Sequence, residues 1–381
     1  MKRRIAVVTT SRADYSHLYW PLHDLSRHPD VDLQLIAMGP HLSPEFGHTV
    51  REIEQDGIPI AARIECLLSS DTDVGMAKTI GLATLSLADC LGRMRPDLLL
   101  LIADRYEMLA PASVALTLRI PLAHIEGGEI SEGAIDDAVR HALTKMSHVH
   151  FTSTFAARDR VIALGEEAWR VHRAGAPSID HLRRDTLYTL EQLQAQLQIE
   201  VKSPSTVVAY HPVTILTDTT QEADELFTAL REVSGQILFC YPNADAGSRE
   251  LIQRTEQFRA HRPDTHIFVN LPALSYWSLL RQAAIMIGNS SSGIMETPSF
   301  ALPTVNVGMR QQGRERSRNI LDAAPDQADI LAKIAIARSE QFRVSLKGME
   351  NPYGDGRASE KIVEVLTSVP LGEELLVKKM R

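Results

Sequence analysis

Ile120-Pro121-Leu122-Ala123-His124-Ile125-Glu126-Gly127-Gly128-Glu129-Ile130-Ser131-Glu132-Gly133-Ala134-Ile135-Asp136-Asp137-Ala138-Val139-Arg140-His141 is the stretch on which the reading of this chain turns. An apolar, strand-like run from Ile120 to Ile125 gives out at Glu126. A glycine-loosened polar loop follows, and an amphipathic helix then continues to about Met146. Between His124 and His141 stand five carboxylates, two histidines and three glycines, too many for a simple turn. Strand, polar loop and helix in that order form one step of a parallel α/β sheet, whose chemistry sits in a crevice at the carboxyl ends of its strands. Acids clustered there raise one another's pKa and so separate a proton donor from a proton acceptor at neutral pH. The competing reading is a solvated acidic loop in which Asp136 and Asp137 serve the dipole of the helix.

Outward from this stretch, short apolar runs alternate with amphipathic ones along almost the whole chain, the pattern of βαβ units. Strands are expected at Ile5–Thr9, Leu33–Met38, Leu98–Ile102, Ile120–Ile125 and Val149–Thr152. Helices are expected at Leu18–Arg27, Ala77–Arg93 and Glu107–Leu118. A second series follows at Val207–Tyr210, Ile237–Tyr241, His266–Val269, Ile285–Ile287 and Thr304–Val307. Two series of similar size predict an α/β protein of two Rossmann-like domains facing across a cleft. The join falls around Arg173 to Pro204, after which the second series begins. We place a first domain at 1–175, carrying the acids, and a second at 176–358, binding a nucleotide. A terminal segment, 359–381, is a helix able to return to the first domain.

The 381 residues suit two domains of ordinary size, and 44% apolar with 23% charged residues is a globular composition. A net charge of −8, without blocks of lysine or arginine, argues against a nucleic-acid partner. Anionic ligands remain open to it, because helix N-termini and a few arginines suffice for them. Cys66, Cys90 and Cys240 are odd in number and widely spaced, as expected of small buried residues in a reducing compartment. The basic N-terminus leads into an apolar run too short for a signal peptide, no apolar run reaches membrane-spanning length, and the expectation is a cytoplasmic protein without a membrane partner.

Other strand ends also carry polar groups. After the first strand come Ser11-Arg12-Ala13-Asp14-Tyr15-Ser16, where Rossmann folds place a phosphate. No glycine-rich dinucleotide fingerprint is present, so a nicotinamide cofactor is not expected. Arg12 offers a bidentate guanidinium and Ser16 a hydroxyl, or the segment simply caps a helix. Asp104 and Arg105 follow the strand ending at Ile102, His211 follows the first strand of the second series, and Asn243 sits in another strand-end turn. The run Gly288-Asn289-Ser290-Ser291-Ser292-Gly293 ends an apolar strand and opens a helix, a cradle of amides and hydroxyls for a diphosphate. Glu296 lies one turn on, placed to hold ribose hydroxyls, and Arg310, Arg314 and Arg316 bring cations near. His148 and His150 share one side of a strand, but no third metal ligand is evident nearby. No nucleophile elbow appears.

Taken together, Ser11-Arg12-Ala13-Asp14, Asp104-Arg105, His124-Ile-Glu126-Gly-Gly, Asp136-Asp137-Ala-Val-Arg140-His141, His211-Pro-Val-Thr, Asn289-Ser-Ser-Ser-Gly and Arg310-Gln-Gln-Gly-Arg314 resemble the hydrolysing UDP-N-acetylglucosamine 2-epimerases of sialic-acid-type sugar pathways. The likeness runs in order from about residue 4 to residue 360. It departs at Ala103, where the family usually has glycine. The resemblance implies a glycosyltransferase-B-like fold, UDP against the second domain and the amino sugar against the acids of the first. It implies catalytic roles for Asp104, Glu126, Asp136, Asp137 and His211. Substrate and UDP contacts would fall to Arg12, Ser16, Arg105, His141, Asn243, Ser290, Ser291, Ser292, Glu296 and Arg314. The implied reaction eliminates UDP to a 2-acetamidoglucal and hydrates it to the free manno sugar, with neither redox cofactor nor essential metal. UDP-N-acetylglucosamine is the first substrate expected, and a UDP-linked 2,4-diacetamido-2,4,6-trideoxyglucose on a legionaminic-acid route is the second. A non-hydrolysing epimerase fits the Ser131–Asp137 stretch less well. A UDP-sugar glycosyltransferase would not need so many acids, and a non-catalytic sensor would not retain them. The family suggests a homodimer or homotetramer.

Overall fold

The computed structural model describes residues 2–68, 72–130, 135–211, 220–241, 246–269 and 271–379. These form two α/β units, residues 1–181 with 353–381 and residues 182–352.

The first unit is built on seven parallel strands: β1 (Arg3–Thr9), β2 (Val31–Met38), β3 (Ile60–Ile64), β4 (Leu98–Ile102), β5 (Leu122–Ile125), β6 (Val149–Thr152) and β7 (Val171–Arg173). Their order across the sheet is β3-β2-β1-β4-β5-β6-β7. The β4 run Leu98–Ile102 is buried at every position because helices cover both faces. From one side the helix Arg12–Arg27 contributes Leu18, Leu22 and Leu25, all fully buried. Ala358, Ile362 and Leu366 of the helix Ala358–Ser368 join the same core. The carboxylate of Asp180 anchors this returning helix, accepting the Ala358 and Ser359 N–H groups at 2.8 Å each. Farther on, buried Arg170 donates to the carbonyls of Leu375, Glu374 and Val377 at 2.7, 2.9 and 2.9 Å. Glu167 holds the same guanidinium at 2.8 Å.

Contrary to the expectation that no apolar stretch reaches spanning length, the helix Asp73–Met94 has 22 residues and a window of mean hydropathy 1.3. Its buried residues Gly75, Thr79, Ala83, Leu87 and Leu91 recur every four positions. That spacing is one face of a helix packed against a protein core.

The second unit has six parallel strands: β8 (Ser205–Ala209), β9 (Gln236–Tyr241), β10 (Thr265–Val269), β11 (Ile285–Gly288), β12 (Thr304–Val307) and β13 (Ile320–Ala323). Their order is β10-β9-β8-β11-β12-β13. Each unit thus reverses its strand order once, between β1 and β4 and between β8 and β11. These are the positions at which open α/β sheets leave a crevice for ligands.

Replacing Arg170 with Met would leave the carbonyls of His148, Glu374, Leu375 and Val377 and the Glu167 carboxylate without their buried cation. Urea denaturation should show a loss of about 3 kcal/mol, and amide exchange across residues 373–379 should quicken. An unchanged midpoint with unchanged exchange would show that the guanidinium does not hold the C-terminal segment.

Candidate active site

The switch point of the first unit carries a dense set of charges. Where β1 ends, Ser11 caps the helix Arg12–Arg27, and buried Asp14 accepts bonds from the N–H and hydroxyl of Thr10. Burial pushes the Asp14 carboxyl up, against the opposing pull of Thr10 and Arg105. Where β4 ends, Ala103 takes a left-handed conformation with φ of 56°. Its N–H donates to Ile125 O at 3.0 Å, and its carbonyl lies 2.7 Å from Nε2 of buried His124. An alanine therefore adopts the backbone for which the family usually has glycine, and the turn holds its shape through these two bonds. Asp104 follows and is ion-paired to the buried Arg140. Next, Arg105 makes a fork with the buried carboxylate of Glu107, at 2.7 and 3.2 Å. Burial is the strongest single influence on Arg105 and opposes its charge, but Glu107, Asp14 and Tyr106 together raise its pKa.

Glu126 directly follows β5 with φ of 67°, and its N–H donates to Phe151 O at 2.8 Å. Its carboxylate is buried and lies 2.8 Å from Nδ1 of His17. Gly128 is required where it stands: with φ of 80°, a Cβ there would lie 2.2 Å from Ala157 O. On the helix Ile135–Met146, Asp137 reaches His141 at 3.3 Å and Arg140 at 3.9 Å. Asp136, in the same first turn, is half-buried, and burial raises its carboxyl pKa while Arg105 lowers it and Glu107 raises it.

The second switch point is held by Asn289. Its Oδ1 accepts the His211 N–H at 2.7 Å and its Nδ2 donates to His211 O at 2.8 Å. Gly288 permits the approach, since a Cβ at its φ of 144° would lie 2.0 Å from Ala209 O. Arg310 and Gln311 donate to Asn289 O at 3.0 and 2.9 Å. Burial, with Arg310 adding to it, lowers the His211 imidazole to about 4. Ser290 and Ser292 hydroxyls lie 3.2 Å apart, and Tyr276 OH meets Ser292 at 2.6 Å. Glu296 accepts the Trp277 indole N–H at 3.0 Å. Arg314 sits beside Met295 Sδ at 3.4 Å. The helix after the serines is short, Ser292–Met295, and Ser291 is its N-cap.

Of the residues singled out in sequence, Asp104, Asp137 and His141 join one ion-pair chain through Arg140. Arg105, Asp136 and Glu126 stand at the same carboxyl edge. Arg12 is largely exposed and paired with Glu52 at 3.5 Å, away from the acids' own partners. Ser16 is half-buried, and His181 bonds its carbonyl at 3.2 Å. Asn243 lies outside the described residues. His148 and His150 are structural: Nδ1 of His148 accepts the Leu122 N–H at 3.1 Å, and His150 faces buried Glu166 at 3.2 Å. Sequence reasoning passed over five contributions: His17, Asp14, Glu107 and the positioning roles of His124 and Arg140. His17 is one helical turn past Asp14, on the face that turns toward β5, a spacing readable in retrospect.

The sequence profile of the UDP-N-acetylglucosamine 2-epimerase family matches residues 23–367. The GDP/UDP-N,N'-diacetylbacillosamine 2-epimerase (hydrolyzing) of Campylobacter jejuni is 37% identical over 335 residues, 86% of each chain. The UDP-N,N'-diacetylbacillosamine 2-epimerase (hydrolyzing) of Legionella pneumophila is 35% identical, covering 99% of each chain. In structure, the UDP-GlcNAc 2-epimerase of Neisseria meningitidis superimposes with a TM-score of 0.74 at 18% identity, over 95% of this chain and 99% of that one.

His124 provides a pH test. Burial lowers its imidazole from about 6.5 in the unfolded chain to about 4 in the fold. Its contribution to stability is therefore complete above pH 6.5 and is lost as pH falls toward 4, with a slope of up to about 1.4 kcal/mol per pH unit. Urea midpoints of wild type and His124→Gln, measured from pH 7 to pH 4.5, should converge at the acid end. Parallel curves would mean that His124 titrates normally.

Proposed function

The chain belongs to the UDP-N-acetylglucosamine 2-epimerase family, and as a hydrolysing 2-epimerase of UDP-sugars we propose that it acts on UDP-linked 2,4-diacetamido-2,4,6-trideoxyglucose. The two hydrolysing relatives above, at 37% and 35% identity, carry this sugar in their names as N,N'-diacetylbacillosamine. UDP-N-acetylglucosamine, the first substrate suggested by the sequence motifs, becomes the second reading. The observation that carries the chemistry is that three carboxylates at one sheet edge have three different electrostatic settings. Asp104 faces a guanidinium, Glu126 an imidazole, and Asp136 is raised by burial.

A sugar C2–H is a weak acid, so its removal must accompany departure of the diphosphate. Asp104 and Glu126 serve the first step. The Arg140 cation favours the charged form of Asp104, and Glu126 can hand a proton to His17. The C2–H bond breaks toward a carboxylate, its electron pair forms the C1–C2 double bond, and the C1–O bond leaves with UDP. Water then adds its hydroxyl at C1, and C2 receives a proton on the opposite face. Asp136, more readily protonated than an ordinary aspartate, suits that delivery. Asp137 and His141 steady Arg140 and the turn beside it.

In the second unit we assign UDP contacts to the hydroxyls of Ser290, Ser291 and Ser292, to the Arg314 guanidinium and to the Glu296 carboxylate, which would accept from the ribose hydroxyls. Asn243, Arg12, Ser16 and Arg105 are further contacts that the family resemblance implies. Donors on the leaving diphosphate matter as much as the base, because charge develops there in the transition state. His211, neutral with a pKa of about 4, acts on the phosphate as a hydrogen-bond donor and not as a cation.

Proton and phosphorus NMR in heavy water, with each UDP-sugar in turn, tests the reaction. UDP release with deuterium at C2 of the free 2-epimer is expected. Release without C2 exchange would sink the elimination. Glu126→Gln should lower kcat by roughly 10²- to 10⁴-fold with UDP affinity retained, as read by calorimetry. An unchanged kcat would remove Glu126 from the proton path.

A further inference from the structure

The helix Ile135–Met146 carries Asp136, Asp137, Arg140 and His141 in its first two turns, and its far end is held from the C-terminal tail. Val139, Arg140, Leu143 and Thr144 make its buried face. Apolar contact along such a face is non-directional and tolerates sliding. Bonding at the ends fixes a helix along its own axis, because the last four carbonyls have no partner within it. Here the Ser147 N–H takes Leu143 O and Thr144 O, at 3.0 and 3.2 Å. Lys145 O accepts instead from Nζ of Lys378 at 2.8 Å, 233 positions along the chain. The same ammonium donates to Ser147 O at 2.6 Å and to Glu166 Oε2 at 2.7 Å. All three of its N–H groups are therefore used.

The ground under this cap is itself fixed. The buried Glu166 carboxylate also meets Lys145 Nζ at 2.5 Å and His150 Nε2 at 3.2 Å. Lys145, in the last turn of the helix, donates further to Leu164 O at 3.1 Å. Arg170 brings the tail to this place by binding the carbonyls of Glu374, Leu375 and Val377. A cation at this end also suits the negative pole of the helix. Asp136 stands about 14 Å from Lys145 along the axis, and backbone bonds running along that axis carry a shift from one end to the other. We infer that Lys378 is a positioning residue, which by capping this helix sets where Asp136 meets the reacting C2. The inference rests on the role proposed above for Asp136. A misplacement of about 1 Å costs on the order of 10²-fold in rate. The UDP contacts assigned above stand on other elements, so the cap bears on kcat and not on UDP affinity.

The experiment uses full-length Lys378→Met, Lys378→Arg and Asp136→Asn. It measures kcat with the UDP-sugar that the wild type turns over, and UDP affinity by calorimetry. Lys378→Met leaves Glu166 with Lys145 and His150, so it should fold, as a urea midpoint will show. It should lower kcat roughly tenfold with UDP affinity changed by less than about twofold. Lys378→Arg keeps a cation with several donors and should recover most of the wild-type kcat. If Lys378→Met does not fold, Lys378→Gln, which keeps one donor group, is read in its place. A wild-type kcat without the ammonium, kcat and UDP affinity falling together, or a loss that Lys378→Arg does not recover would overturn the cap alone. A wild-type kcat in Asp136→Asn would overturn the role of Asp136 and the inference with it.

Discussion

Each unit reverses its strand order once, and nearly everything of functional interest hangs on that constraint. In a parallel sheet the helices on the two sides of the reversal leave by opposite faces, so the loops after the two central strands diverge. Polar backbone exposed in the gap needs partners. In the first unit the loops are tied by Ala103 N–H to Ile125 O and by His124 to Ala103 O. In the second, the Asn289 side chain bonds both the N–H and the carbonyl of His211. These clamps are neutral, and the His124 and Asn289 side chains that make them are buried. They leave the charged side chains on the same turns to be arranged by other forces.

Those forces are mostly ion pairs at the edge of a low-dielectric core. Arg140 is buried and gathers Asp104 and Asp137, while Glu107 is buried and takes Arg105. Each pair offsets a desolvation penalty that neither partner could bear alone. What results is a row of carboxylates whose neighbours differ, which is the condition for separate donor and acceptor roles. The imidazoles divide in the same way. His124 and His211 are driven to about 4 by burial and serve as neutral hydrogen-bonding groups. His17, partly exposed, lies 2.8 Å from the Glu126 carboxylate.

The central strands were legible from sequence because helices cover both their faces and force continuous apolar runs. Leu98–Ile102, Val149–Thr152 and Thr304–Val307 were read at their observed limits. β3, β7 and β13 were not read at all, and all three lie at sheet edges. An edge strand needs less apolar surface. β3 alternates between half-buried and exposed positions until its last residue, and β7 is only Val-His-Arg. The helix Asp73–Met94 shows the converse, where apolar content alone overstated what its four-residue stripe of buried positions requires.

By itself the sequence determined the α/β class, the two series of βαβ units and the chemical character of the strand-end loops. Those properties follow from local periodicity and from residue type, which act over a few positions. Only the tertiary structure decided which charges meet. Asp104 and Arg140 are separated by 36 positions, and His17 and Glu126 by 109. Arg12, singled out for its chemistry, pairs with Glu52, 40 positions along the chain, a partner that its own segment does not reveal. An ion pair depends on the distance between two side chains and on the water excluded around them, and folding sets both by bringing distant strand ends to one edge of the sheet.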